Sequence, residues 1–167
     1  MTCVVVENLS PPKSFVPSDL AGTWQADYDQ YDIPDGLSMG RVHGVETITL
    51  RADGTYQQVF SGVYTGPWNK WWLEDGWILH LRGARLFIMG IKAAEYFAQG
   101  EAEAHWEDCL GREIELDGTE LILCAKPDPN APGGIILEHL PVGDPDSPEI
   151  VEFHRIAAPV PTTTSVP

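Results

Sequence analysis

Short runs of alternating apolar and polar residues recur along this chain, and tight-turn residues separate many of them. The clearest pair is residues 45–51 and 55–60, which are rich in β-branched and aromatic side chains and flank the turn dipeptide Asp53-Gly54. A strand sends successive side chains to opposite faces, so such alternation is typical of half-buried strands. These two runs therefore predict a β-hairpin.

The same pattern predicts further short strands through the rest of the chain. They lie near residues 24–31, 68–73, 77–82, 85–89, 112–116, 120–125, 135–142 and 149–156. The turn Asp117-Gly118 favours a hairpin between two of them, and a longer loop over residues 143–148 favours another between the last two. We predict an all-β fold, a closed antiparallel up-and-down β-barrel of about 8–9 strands, because closure removes the exposed edges of a sheet.

One segment differs from the others in composition and in the spacing of its apolar residues. Residues 91–98 are rich in Ala and Glu, and Ile91, Ala94, Phe97 and Ala98 fall on one face at helical spacing. Gly100 weakens the pattern, which resumes over residues 101–106. We predict one helix near residues 91–106.

The 167 residues suit a single domain. We expect a barrel domain over residues 18–157, an extended lead-in over 1–17 that contains three prolines, and a disordered tail over 158–167. The longest apolar run, residues 86–91, is too short to cross a bilayer. Residues 1–7 have no basic segment and end at Glu7, unlike a secretion signal, so we expect a soluble, cytoplasmic protein.

Charge narrows the choice of partners. Ten basic residues stand against 25 acidic ones, a formal net charge of −15. Such a field repels phosphate backbones and anionic lipids, so we expect neither nucleic acid nor a membrane as partner. It would attract a cationic ligand or a basic protein, or serve simply as a solubilising surface.

Cysteine and histidine spacing gives no metal motif. Cys3, Cys109 and Cys124 contain no Cys-x-x-Cys, and the five histidines are scattered. Cys109 and Cys124 could face each other across strands, but we expect reduced thiols in a cytoplasmic protein. We expect no metal and no cofactor. Nucleophile and phosphate-binding motifs are also absent from the sequence, so the catalytic residues, if there are any, are unknown.

The segment Gly22-Thr23-Trp24 resembles the Gly-x-Trp opening of lipocalins, in which these residues begin the first barrel strand. The order of strands over about residues 18–156 is similar to lipocalin-like proteins of the wider calycin group. The resemblance implies that Trp24 closes one end of the barrel and packs under an arginine of the last strand, here Arg155. Gly22, Trp24 and Arg155 are then residues of barrel closure that contact no ligand. The position of the helix, before the last four strands, departs from a standard lipocalin.

Alternation also indicates which side chains face the barrel interior. If Trp24 points inward, Tyr28 does too, and Tyr56, Gln58 and Phe60 share one face of their strand. Trp71 and Trp72 are neighbours, so only one of them can point inward. We therefore predict a ligand-binding set of Tyr28, Tyr56, Gln58, Phe60, Trp71 and Trp72. The alternative is that these side chains fill a solid core or face solvent.

Three functions fit this pattern. The first is binding of a small hydrophobic or aromatic molecule in the lumen, with entry beneath the loop of residues 32–44. The second is a small β-barrel enzyme, a cyclase or isomerase, that uses a Tyr, Glu or Arg for proton transfer in the same pocket. The third is a non-catalytic interaction module that acts through acidic loops.

Overall fold

The chain forms a closed antiparallel barrel of eight strands, with one additional strand in the same sheet and a separate two-stranded hairpin. A computed structural model describes residues 14–35, 39–98, 104–107, 109, 113–116, 120–139 and 150–157. Its strands are β1 (Gly22–Asp27), β2 (Val45–Leu50), β3 (Thr55–Phe60), β4 (Tyr64–Thr65), β5 (Asn69–Glu74), β6 (Ile78–Arg82), β7 (Ala104–Glu107), β8 (Glu113–Leu116), β9 (Glu120–Pro127), β10 (Ile135–His139) and β11 (Val151–Ala157). The helical segments are the single turn α1 (Pro17–Leu20) and the helix α2 (Ile91–Ala98).

Eight of these strands close the barrel in up-and-down order. Around it run β1, β2, β3, β5, β6, β9, β10 and β11, and β11 returns to pair with β1. The short β4 adds to β3, and β7 and β8 form a separate two-stranded hairpin. The predicted all-β, up-and-down barrel is therefore confirmed.

Strand alternation separates the interior from the outside, as the sequence pattern indicates. In β1, Gly22, Trp24 and Ala26 are buried while the residues between them are half-buried, and β2 and β3 repeat this alternation. Leu79 and Leu81 of β6 pair with Leu123 and Leu121 of β9 in the interior. The apolar faces of all eight strands thus form one core.

The two ends of the barrel differ. At the Trp24 end, β1 begins, Gly22 pairs with Leu50, and α1 precedes the strand. At the opposite end, β1 finishes, Asp27 pairs with Val45, and Glu46 pairs with Phe60. We call this second end the Glu46 end.

Three local predictions are wrong. The helix covers Ile91–Ala98, and Ala104–Glu107 is a strand, because β7 pairs along its length with β8. β8 therefore pairs with β7 and not with β9, whose barrel neighbours are β6 and β10. Residues 85–89 form no strand, since Phe87–Met89 is a turn of 3-10 helix. The proposed disordered tail lies outside the described residues.

The two cysteines do face each other, as the sequence allowed, but the expectation of reduced thiols is wrong for this pair. Cys109 and Cys124 form a disulfide, with a Cα–Cα distance of 5.6 Å. Cys124 lies on the outer face of β9, opposite Ile78, so the bond holds Cys109 against the outside of the barrel. In the described residues, no helix is long and apolar enough to cross a membrane.

Candidate functional site

A fully buried carboxylate lies inside the barrel near its Glu46 end. Glu46 shares the inward face of β2 with Ile48 and Leu50, and 1% of its surface is exposed. The Tyr28 hydroxyl donates a 2.6 Å hydrogen bond to Glu46 Oε2, and Gln58 Nε2 donates a 2.6 Å bond to Oε1. Both partners are neutral side chains.

Burial decides the protonation behaviour of Glu46. Loss of water disfavours the charged carboxylate and raises its pKa from 4.5 to about 7, although the bonds from Tyr28 and Gln58 act to lower it. Burial, followed by the field and hydrogen bond of Glu46, raises the pKa of Tyr28 well above 10. Near neutral pH, Glu46 is therefore divided between its two protonation states, while Tyr28 keeps its proton.

Gln58 connects this carboxylate to the segment that covers the barrel end. Its Nε2 donates to Glu46 Oε1 and, at 2.8 Å, to the Arg85 carbonyl, while its Oε1 accepts a 2.8 Å bond from the Arg85 amide. The two N–H groups of the amide are thus both used. Gln58 therefore links the Glu46 carboxylate directly to the backbone of Arg85.

Residues 84–89, which we call the cover segment, lie over the Glu46 end. Leu86, Phe87 and Ile88 are buried, and the Phe87 ring stands 4.5 Å from the ring of Phe60. A glycine in the left-handed region bounds each side of the segment, Gly83 at φ 69° and Gly90 at φ 101°. These are the positions at which the backbone can turn most freely.

The loop between β1 and β2 approaches the same cover. A Cβ added to Gly90 would lie 2.6 Å from the carboxylate of Asp35 in that loop. The loop contributes the buried side chains of Ile33 and Val42 to the core. Both segments therefore close the end of the barrel that is opposite Trp24.

His139 is the fourth polar residue of this end. It lies in β10 two positions from the inward-facing Leu137, and it is 4% exposed. Burial lowers its pKa from 6.5 to about 4, although a hydrogen bond with the Ile122 backbone acts to raise it. The imidazole is therefore neutral at pH 7.

Glu46, Tyr28, Gln58 and His139 form a buried polar cluster, and the space beside it is narrow. Glu46 of β2, His139 of β10 and Tyr28, which directly follows β1, border it on one side, and residues 85–88 of the cover segment border it on the other. In this conformation it does not admit a water molecule. A ligand would have to displace the cover segment to reach Glu46.

The predicted ligand residues lie in separate places in the barrel: Tyr28 borders the enclosed space at the Glu46 end, while Trp71 and Trp72 border a groove elsewhere. Tyr28, Gln58 and Phe60 meet at the Glu46 end, where the Tyr28 and Phe60 rings are 5.9 Å apart. Tyr56 is buried in the same strand face, and its hydroxyl donates to the Arg82 carbonyl. These side chains are buried against their neighbours, and the enclosed space beside Tyr28 does not admit a water molecule.

The two neighbouring tryptophans are separated from that cluster. Trp71 is buried near the Trp24 end, where its Nε1 donates a 2.9 Å bond to the Arg51 carbonyl. Trp72 points outward, is 38% exposed and stacks on His80 at 4.9 Å. Alternation predicted the opposite orientations but not the distance of Trp71 from Tyr28.

The residues assigned to barrel closure do meet. The Arg155 guanidinium carbon lies 4.5 Å from the Trp24 ring centre, and Nη1 donates a 2.8 Å bond to the Ala21 carbonyl. Trp24 Nε1 donates a 2.8 Å bond to the Leu20 carbonyl of α1. A Cβ on Gly22 would lie 2.9 Å from the Ala157 carbonyl oxygen, so this strand start requires glycine.

An outer groove of about 500 Å³ lies beside the Trp24 end. Phe15, Val16 and Pro17 form one side, and Trp71, Trp72 and Leu73 form the other, with the turn at residues 52–54 and Gly76 completing it. Asp53 is its single charged lining residue. Because few polar groups converge there, the groove is a weaker candidate than the interior cluster.

The sequence interpretation missed Glu46, His139 and the cover segment. The alternation of Val45-Glu46-Thr47-Ile48 would have placed Glu46 inward beside Ile48, so the signal for it was present. His139 would follow in the same way from Leu137. Among the described residues, no three His, Cys, Asp or Glu side chains are arranged to hold a metal ion.

Comparison of the chain with models of protein families, with curated proteins and with solved structures finds no match.

Proposed function

We propose that this barrel is calycin-like and binds a small apolar or aromatic molecule at its Glu46 end, beneath the cover segment. The observation that carries the proposal is the cluster of Glu46, Tyr28, Gln58 and His139, buried in an otherwise apolar interior. A few polar groups that converge within an apolar wall are the usual composition of a ligand site.

Energetics support the same proposal. A buried carboxyl without a cationic partner is unfavourable by several kcal/mol in its charged form. Tyr28 and Gln58 are buried with Glu46 as their shared acceptor. Packed apolar side chains in place of all three would serve a barrel core at least as well, because removing every partner of a buried hydrogen bond leaves no unsatisfied group. We infer that Glu46 serves a bound molecule and not the fold.

Movement of the cover segment would give a ligand access to Glu46. Gly83 and Gly90 bound it, and its contacts with the barrel include the Phe87 ring contacts with Phe60 and Tyr64 and the two hydrogen bonds between Arg85 and Gln58. Outward movement of residues 84–89 would open the lumen beside Glu46 without breaking any barrel strand.

A neutral probe tests this proposal. N-phenyl-1-naphthylamine fluoresces when it leaves water, and we expect it to bind the protein with one site per chain. Phe60→Leu should weaken this binding by about tenfold or more, because one methylene-scale change in an apolar pocket already alters binding by that order. Val63→Ala, at an exposed position outside the barrel, is the matched control. Equal binding by both variants would contradict the lumen site.

An enzyme is the second candidate. A carboxyl whose pKa is about 7 is suited to accept and return a proton near neutral pH, and the Tyr28 hydroxyl lies 2.6 Å from it. A cyclase or isomerase would use this pair on a substrate held beneath the cover segment. Incubation of the wild type and Glu46→Gln with the molecule recovered from the host would distinguish turnover from binding.

An interaction module that acts through acidic loops is the remaining alternative. The tight packing around Tyr28, Gln58 and Phe60 favours it, because a solid barrel would leave only the surface for function. We also propose a cytoplasmic location for the protein. The Cys109–Cys124 disulfide is typical of oxidising compartments and weighs against it.

A further inference from the structure

We propose that the molecule bound at the Glu46 end is a small organic cation, an amine protonated at neutral pH, whose ammonium group pairs with the Glu46 carboxylate. This inference rests on the proposed lumen site and names the class of its ligand. It arises from a charge that the described part of the protein leaves uncompensated.

The contacts of Glu46 define that charge. Its two oxygens accept hydrogen bonds from Tyr28 and Gln58, which are neutral, and among the described residues no Lys, Arg or His forms an ion pair with it. Two neutral donors only partly replace the hydration of a carboxylate, which is why burial raises its pKa. An ammonium group would supply both the missing charge and further donors.

The other titratable groups at this end cannot supply a cation as they stand. His139 is neutral at pH 7, because burial lowers its pKa to about 4. Arg85 borders the same space, but its guanidinium carbon lies 4.1 Å over the Tyr64 ring, and Gln58 bonds to its backbone. Tyr28 becomes an anion only far above neutral pH.

The surroundings of Glu46 suit a cation in two further ways. The rings of Tyr28, Phe60 and Phe87 form a continuous aromatic wall, with centroids 5.9 Å and 4.5 Å apart, and aromatic faces attract ammonium groups. The formal net charge of −15 raises the local concentration of cations and lowers that of anions near the protein.

An incoming ammonium group would also act on the cover. It would compete with Gln58 Nε2 for Glu46 Oε1, and Gln58 is the side chain that bonds to both backbone groups of Arg85. Ligand charge and cover position would therefore be coupled through one amide.

Three probes that share one ring system separate charge from shape: tryptamine is a cation, 3-methylindole is neutral and indole-3-acetate is an anion. Isothermal titration calorimetry at pH 8 should rank them in that order, with tryptamine at least tenfold tighter than 3-methylindole. In Glu46→Gln, tryptamine should lose this advantage while 3-methylindole keeps its affinity. Glu152→Gln, which alters a carboxylate on the outer face of β11, should retain the wild-type order.

The wild type alone provides a second readout, which holds even if Glu46→Gln folds poorly. Below pH 7, tryptamine should release close to one proton on binding, measured from titrations in buffers of different ionisation heat, and its affinity should rise about tenfold from pH 6 to pH 8. Equal affinities for the three probes, or an amine preference without proton release, would overturn the ligand class and leave the lumen site standing. Failure of all three probes to bind would overturn both proposals.

Discussion

The Arg155 guanidinium lies over the Trp24 indole, with 4.5 Å between its central carbon and the ring centre, at the end of the barrel opposite Glu46. Trp24 has no exposed surface, and Arg155 also bonds to carbonyl groups of the chain that precedes β1. The pair therefore joins the first and last strands to the segment that closes the Trp24 end.

Trp24→Ala should lower the free energy of unfolding by about 3–5 kcal/mol, because it removes a large aromatic side chain from a closed core. Arg155→Ala should have a smaller effect of about 1–2 kcal/mol, since the stacking and the hydrogen bonds are partly exposed to water. Urea unfolding followed by circular dichroism measures both. Trp68→Ala, at a position that is 41% exposed, is the control. A loss at Trp24 no larger than at Trp68 would contradict the closure role.

Glu46 should make stability fall as pH rises. Its pKa is raised in the folded state from 4.5 to about 7, so between these values the folded chain binds more protons than the unfolded chain. Its stabilising contribution is present below pH 4.5 and is lost as pH approaches 7. The difference in unfolding free energy between wild type and Glu46→Gln should therefore decline across this window by roughly 1–3 kcal/mol. A difference independent of pH would show that the carboxyl ionises normally.

His139 should have the opposite slope. Its pKa is lowered from 6.5 to about 4, so the unfolded chain binds more protons in this range. Its contribution is present above pH 6.5 and is lost as pH falls towards 4. The difference between wild type and His139→Asn should thus increase with pH from 4 to 6.5, in the same denaturation series. The reverse trend would mean that the imidazole is protonated inside the barrel.

The disulfide should stabilise the chain by about 3 kcal/mol, the value for a closed loop of roughly 15 residues, since Cys109 and Cys124 are 15 apart in sequence. The double variant Cys109→Ala/Cys124→Ala should unfold at lower urea concentration and lose its response to dithiothreitol. Thiol titration of the denatured wild type should find one free cysteine per chain. Three free thiols in protein taken from its host would instead support reduced cysteines.

Two strand pairings were predictable from the sequence because alternation and turn residues act locally. The Asp53-Gly54 hairpin and the pairing of β10 with β11 were both found in this way. The buried position of Glu46 was also predictable, because it shares its face of β2 with the apolar residues Ile48 and Leu50.

Other features depend on contacts that periodicity does not contain. The apolar residues 86–88 suit a strand as well as a cover, and only their packing on Phe60 and Tyr64 decides between them. Residues 104–107 carry a pattern compatible with a helix, but pairing with β8 makes them a strand. The disulfide depends on the proximity of two distant residues, which spacing alone does not fix.

Native mass spectrometry of the chain purified from its own host tests the central claim most directly. We predict a complex of one chain with one small molecule that dissociates on denaturation, is lost from Phe60→Leu and is retained by Val63→Ala. The mass of the bare chain, or of the chain with a retained protein partner, in a preparation that also fails to bind N-phenyl-1-naphthylamine, would contradict a ligand site in the barrel.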